Sequence, residues 1–142
     1  MLTIRSGVAI VAFCTLLLAA LPASAQVVNL KAQLSGAAEV PPNDSKGSGS
    51  VTLTYDPATK KLSWKGTHTG MTTNPSAAHF HGPAEASKNA GVLIPIPNPA
   101  PSFEGSATLT DAQAADLLAG RLYVNLHSPA HPAGELRGQV TK

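Results

Sequence analysis

The chain has 142 residues, 43% of them hydrophobic and 13% charged, with a formal net charge of +2 at pH 7. No basic run and no interleaving of basic with aromatic residues is present, which argues against nucleic acid as a partner. The length suffices for one domain with a real core, and a lone cysteine, Cys14, leaves nothing to pair with inside the chain.

The first residues carry one positive side chain, Arg5, followed by the apolar run Val8–Leu21 and by Pro22-Ala23-Ser24-Ala25. A charged start, an apolar run of this length and Ala-x-Ala predict a secretory signal over 1–25, cut after Ala25. The run is short for a bilayer span, and nothing after residue 25 is long and apolar enough to cross a membrane. Phe13 before Cys14 is too large for lipoprotein processing. The expected product is a single domain, 26–142, secreted to a periplasm or out of the cell. Cys14 and Arg5 leave with the signal, so the mature chain is nearly neutral. Without a disulfide it depends on packing, or on a ligand or metal, for stability.

The rest reads as short strands between turn residues. Val28, Leu30, Ala32 and Leu34 alternate with polar residues, and Pro41-Pro42-Asn43-Asp44 breaks the chain. Val51, Leu53 and Tyr55 alternate, and so do Leu62, Trp64 and Gly66. With Asp56-Pro57-Ala58-Thr59-Lys60 between them they predict a hairpin. Further strands are expected at 78–81, 91–96, 103–109, 121–127 and 134–141. Thr110 as N-cap with Gln113 three residues on, then an alanine- and leucine-rich run ending at Gly120, predicts one short helix near 110–119. The fold class is all-β: an antiparallel, Greek-key-like β-sandwich of about eight strands.

Two of the five histidines sit in "AHFHGP" (78–83). In a strand, side chains alternate, so His79 and His81 share one face and Ala78 and Phe80 the other. In the strand 121–127, Leu122, Val124 and Leu126 form the core face, which places Tyr123, Asn125 and His127 together on the opposite one. His127 ends that strand beside a loop, as His81 does, and His131 follows in Ser128-Pro129-Ala130-His131-Pro132. Imidazoles converging from two strand ends make a nitrogen-rich site for copper or zinc, since thiolates are absent. The competing reading is a set of solvated polar residues. His68 extends the Trp64–Gly66 face alone and is expected to be a core-edge or exposed histidine rather than a ligand.

In the last strand Glu135, Arg137 and Gln139 share a face. Such a row can brace Tyr123, Asn125 and His127 by hydrogen bonds, so Tyr123, Asn125, Glu135 and Arg137 are candidates for the groups that stand behind the ligands. Glu39 is isolated in sequence, and pairing with Arg137 is one option for it.

Four blocks, "LSGAAEVPP" (34–42), "AAHFHGPA" (77–84), "LAGRLYVNLHS" (118–128) and "GELRGQV" (134–140), resemble the CHRD (chordin-type) domain family. That resemblance covers nearly all of the mature chain and implies a secreted β-sandwich module without a settled activity. A fainter likeness runs through "GSGSVTLTY", "KLSWKGTHTGMT", "HFHGP" and "GRLYVNLH". In order, these are similar to the copper/zinc superoxide dismutases. That likeness implies His79, His81 and His127 as copper ligands with Arg137 near the metal. The histidine-rich zinc loop and the disulfide cysteines of that family have no counterpart here.

Three functions follow in order of expectation. The first is a secreted protein that binds copper, with zinc as the alternative metal, as a buffer, carrier or electron-transfer partner, through His79, His81, His127 and, as a fourth ligand or gate, His131. The second is a non-catalytic module that binds an extracellular or periplasmic protein partner, its histidines structural. The third is a superoxide dismutase-like copper enzyme. No Ser–His–Asp pattern, phosphate loop or carboxylate pair supports another chemistry.

Overall fold

The computed structural model describes residues 26–142, and the expected signal segment, 1–25 with Cys14, lies outside the described residues. The alternating segments form eight strands: β1 (Val28–Ser35), β2 (Ser48–Asp56), β3 (Lys61–Thr69), β4 (Ala77–His81), β5 (Val92–Pro95), β6 (Ser102–Thr108), β7 (Tyr123–His127) and β8 (Leu136–Gln139). The helix α1 (Asp111–Leu118) lies between β6 and β7. All-β architecture with one short helix is as the sequence predicts.

Hydrogen bonding runs through one antiparallel sheet in the order β5-β4-β7-β8-β1-β2-β3-β6. Its middle is narrow. β8 and β1 share the single ladder pair Ser35–Arg137 and an isolated bridge, Lys31–Thr141, whereas β1 and β2 pair along their whole length. The two halves, β5-β4-β7-β8 and β1-β2-β3-β6, fold toward each other about this seam. Trp64 of β3 meets Phe80 of β4 edge to face, with ring centroids 5.0 Å apart, although four strands separate them in the sheet order. The result is a nearly closed sandwich. Edge-to-face aromatic pairs contribute about 1 kcal/mol beyond their buried area.

The predicted hairpin is present: Val51, Leu53 and Tyr55 of β2 oppose Gly66, Trp64 and Leu62 of β3. Asp56 holds its turn, accepting hydrogen bonds from the Ala58 N–H at 2.9 Å and the Thr59 hydroxyl at 2.8 Å. The capping box also forms, with Gln113 N–H donating to Thr110 Oγ1 and Thr110 N–H to Gln113 Oε1. Gly120, at φ +72°, ends α1: its N–H bonds Leu117 O and the Arg121 N–H bonds Asp116 O, the paired pattern that lets the chain leave the helix.

The last two strands are shorter than the alternation suggests. β7 starts at Tyr123 and β8 at Leu136, because Arg121 is drawn into the helix-ending turn and Glu135 is turned toward Ser45 and Thr72. Phe80, Leu122, Val124, Leu126 and Leu136 are fully buried, which fixes the core face of β4, β7 and β8. Every second residue on those strands is thereby forced to the outer face.

Candidate metal centre

The outer face of β4, β7 and β8 is a grid of polar side chains. His79 stands opposite Asn125, which stands opposite Arg137; His81 stands opposite Tyr123, which stands opposite Gln139. His127 is opposite Ala77, one step along the diagonal from His79. Diagonal neighbours on paired strands lie about 7–8 Å apart at the backbone, within reach of two imidazoles leaning together.

They do lean together. Nδ1 of His79 is 3.2 Å from Nε2 of His127. His79, His81 and His127 each offer a ring nitrogen such that all three atoms lie within 4.8 Å of one another. His131 is not in that group: it lies in the turn after β7, where its backbone N–H bonds the Ser128 carbonyl and hydroxyl. His68 is also apart from it, at the sandwich edge, with Nε2 3.1 Å from Pro99 O and its ring against Phe103.

Two backbone carbonyls fix the tautomers. His81 Nδ1 is 3.0 Å from Ala90 O and His127 Nδ1 is 3.0 Å from Pro132 O. A carbonyl only accepts, so each Nδ1 carries the proton and donates, and each Nε2 presents its lone pair to the cluster. For His81 that lone pair is buried and has no hydrogen-bond partner. Burial, chiefly, lowers the pKa of both His79 and His81 below the usual imidazole range, and the neighbouring imidazoles add to it. The donation from His81 to Ala90 works the other way without reversing the shift. These rings therefore stay neutral at pH 7, the form that ligates.

The donor set fits a metal ion. Three nitrogens around one tetrahedral ion at 2.0–2.1 Å would stand about 3.3 Å apart. The His79–His127 separation already meets this, and a His81 nitrogen lies within 4.8 Å of both. His79 and His127 are partly exposed, so a fourth position is open to solvent or to another molecule.

Behind His81 lies a stack. The Tyr123 ring is parallel to the His81 ring, centroids 4.9 Å apart and planes at 6°, and the Arg137 guanidinium covers the far side of Tyr123 at 3.6 Å. The Tyr123 hydroxyl accepts from Ala90 N–H and donates to Ala90 O, the carbonyl that holds His81. Arg137, 1% exposed, donates to Asn89 Oδ1 and to the carbonyls of Glu85 and Lys88. It thus pins the 84–90 loop over the grid, and the Tyr123 ring separates it from His81. That is a different task from standing beside a metal to attract an anion.

Asn125 braces the same face: its amide donates to Leu136 O at 3.1 Å and to the Glu39 carboxylate. Glu39 accepts from Asn125 rather than forming an ion pair with Arg137, and burial pushes its carboxyl up to about 7, against the Asn125 hydrogen bond and the Arg137 charge. Glu135 does not join the row with Arg137 and Gln139. It is fully buried the other way, accepting from Ser45 Oγ at 2.7 Å, Thr72 N–H at 2.7 Å and Thr72 Oγ1 at 2.8 Å. Burial alone would raise its pKa, but these bonds and the Ser128 hydroxyl outweigh it and hold the carboxyl at about 2.

The model of the CHRD domain family matches residues 30–140. The chain belongs to the CHRD domain family. Comparison of this CHRD domain with curated proteins and with solved structures returned no match. The matched span contains all three clustered histidines, the stack and Glu39, so the histidine site is part of the CHRD domain itself and not of an appended segment. No helix among the described residues is long and apolar enough to cross a membrane.

Proposed function

We propose that this CHRD domain is a secreted metal-binding module that takes up a copper ion through His79 Nδ1, His81 Nε2 and His127 Nε2. The observation that carries the reading is the buried, unpartnered Nε2 of His81, on a ring grouped with two further imidazoles whose donor nitrogens all lie within 4.8 Å of one another. A buried acceptor without a donor costs about 1–3 kcal/mol, and an electron-pair acceptor at the centre of the triad removes that cost. Copper is favoured over zinc because imidazole-rich sites bind Cu(II) most tightly of the divalent first-row metals. When bound, copper would supply Lewis acidity and one-electron chemistry. The protein orients the imidazoles, through Ala90 O and Pro132 O, and leaves one side of the site approachable. A buffer or carrier uses such an open position for exchange with another donor set. Residues 1–25 read as an export signal, which places this role in a periplasm or outside the cell.

A second reading rests on the 3.2 Å contact between His79 and His127. That contact also suits a hydrogen bond from a protonated His79 Nδ1, and the histidines then tie β4 to β7 in a module whose task is to bind an extracellular or periplasmic protein. Isothermal titration with Cu(II) and Zn(II) of untagged protein separates the two. The first reading expects saturable binding with copper tighter than zinc. Heat changes that do not saturate, unaltered by substituting His81, would leave the second.

A further inference from the structure

On the same sheet face, but on the far side of Asn125 and Tyr123 from the histidines, a cavity of about 370 Å³ lies between the 37–42 segment and the 84–90 loop. Val40, Pro42 and Ala86 form apolar walls, and Glu39, Arg137 and Gln139 line it as well. The donors of those polar groups are largely spent. Gln139 gives both hydrogens of its Nε2, to Ala84 O and Gly120 O at 2.8 Å each. Since both partners are carbonyls, the amide cannot be turned around. Arg137 is engaged by Asn89 Oδ1, Glu85 O and Lys88 O, with its face on Tyr123.

The acceptors are not spent. Gln139 Oε1 is buried with no partner. Glu39 accepts one side-chain hydrogen bond, from Asn125 through Oε1, and it takes part in none of the three ion pairs among the described residues. An apolar-walled cavity with two free acceptors, one of them a carboxylate, is complementary to a multiple donor with positive charge on a short aliphatic stem. The nearby Arg137 charge limits how tightly it can be held.

We infer that this cavity binds an alkylammonium group, with Glu39 as its counter-charge and Gln139 Oε1 as a second acceptor, independently of the histidine site. A free amine and a lysine side chain of a partner protein share this chemistry.

The test is a titration of the purified, metal-free protein at pH 8, above the value of about 7 to which burial pushes the Glu39 carboxyl, followed by the backbone amide signals of Val40 and Ala86 in nuclear magnetic resonance spectra. The probes are n-butylamine, a Gly-Lys-Gly peptide and n-butanol. We expect n-butylamine or the peptide to bind at about millimolar Kd. Binding by the peptide alone identifies a partner's lysine, binding by the amine alone a free amine. Glu39→Gln, which keeps an acceptor for Asn125, should weaken that binding at least about tenfold, which is about 1.4 kcal/mol. Ala86→Leu should also abolish it by filling the cavity while Glu39 stays, and this exposed substitution decides the matter if Glu39→Gln misfolds. The inference is overturned if n-butanol binds as well as n-butylamine, if neither cationic probe moves those signals, or if the bound probe is indifferent to both substitutions.

Discussion

His79 and His127 meet at 3.2 Å although neither is the other's partner in the β4–β7 register: Asn125 stands opposite His79, and Ala77 opposite His127. The small Ala77 leaves the His127 ring free to swing along the diagonal, and the Pro132 carbonyl sets which nitrogen leads. Metal binding should therefore depend on Ala77. Ala77→Ile should weaken Cu(II) binding about tenfold or more by crowding His127, with little change in thermal stability because residue 77 is only half-buried. Titration alongside a melting curve checks both halves of that expectation.

The stack behind His81 gives a second expectation. Tyr123→Phe removes the hydroxyl that exchanges hydrogen bonds with Ala90 but leaves the ring against His81. It should cost about 10-fold in copper affinity and leave the fold intact. Arg137→Met removes three hydrogen bonds to the 84–90 loop and should destabilise the protein by about 2–4 kcal/mol, read as a lower urea midpoint and faster proteolysis in that loop.

Much of the fold and of the histidine cluster is legible in the amino-acid sequence. The period-2 pattern gives the hairpin of β2 and β3, and "AHFH" with "LYVNLH" puts the right imidazoles on one face, because burial of Phe80, Val124 and Leu126 fixes the alternation. The rest depends on partners that leave no mark in sequence. The carbonyls of Ala90 and Pro132 choose the tautomers, and any residue type supplies a carbonyl. The Glu135–Arg137–Gln139 row breaks because β8 begins only at Leu136, which frees Glu135 to reach Ser45 and Thr72. Glu39 meets Asn125 across 86 residues, a separation that spacing cannot bridge.

The two buried carboxyls predict opposite pH responses. Glu135 titrates at about 2 in the fold against 4.5 normally, so its stabilising effect is fully present above 4.5 and is lost as pH falls from there toward 2. Glu39 titrates at about 7, so the fold holds its proton where the unfolded chain does not, and stability declines as pH rises from 4.5 through 7. Urea unfolding across pH should show the acid limb flattened in Glu135→Gln and the neutral limb flattened in Glu39→Gln. Either limb surviving its own substitution would contradict the assignment.

Gly138 marks the seam between the sheet halves. A Cβ there would run into the Gln33 carbonyl of β1. Gly138→Ala should therefore destabilise by about 1–3 kcal/mol, with hydrogen exchange in β8 and β1 accelerated before that in the β2–β3 hairpin.

The central claim is that three imidazoles hold one copper ion, and electron paramagnetic resonance of the untagged protein loaded with Cu(II) tests it most directly. Superhyperfine splitting should report nitrogen ligands. Each of His79→Ala, His81→Ala and His127→Ala should change that spectrum and weaken binding by more than about 100-fold, while His68→Ala and His131→Ala leave both unchanged. Loss of the signal should begin only below the usual imidazole range, since His79 and His81 titrate low in the fold and protons compete with the metal there. A triple alanine variant at 79, 81 and 127 that binds copper as tightly as the parent, with the same spectrum, would contradict the account.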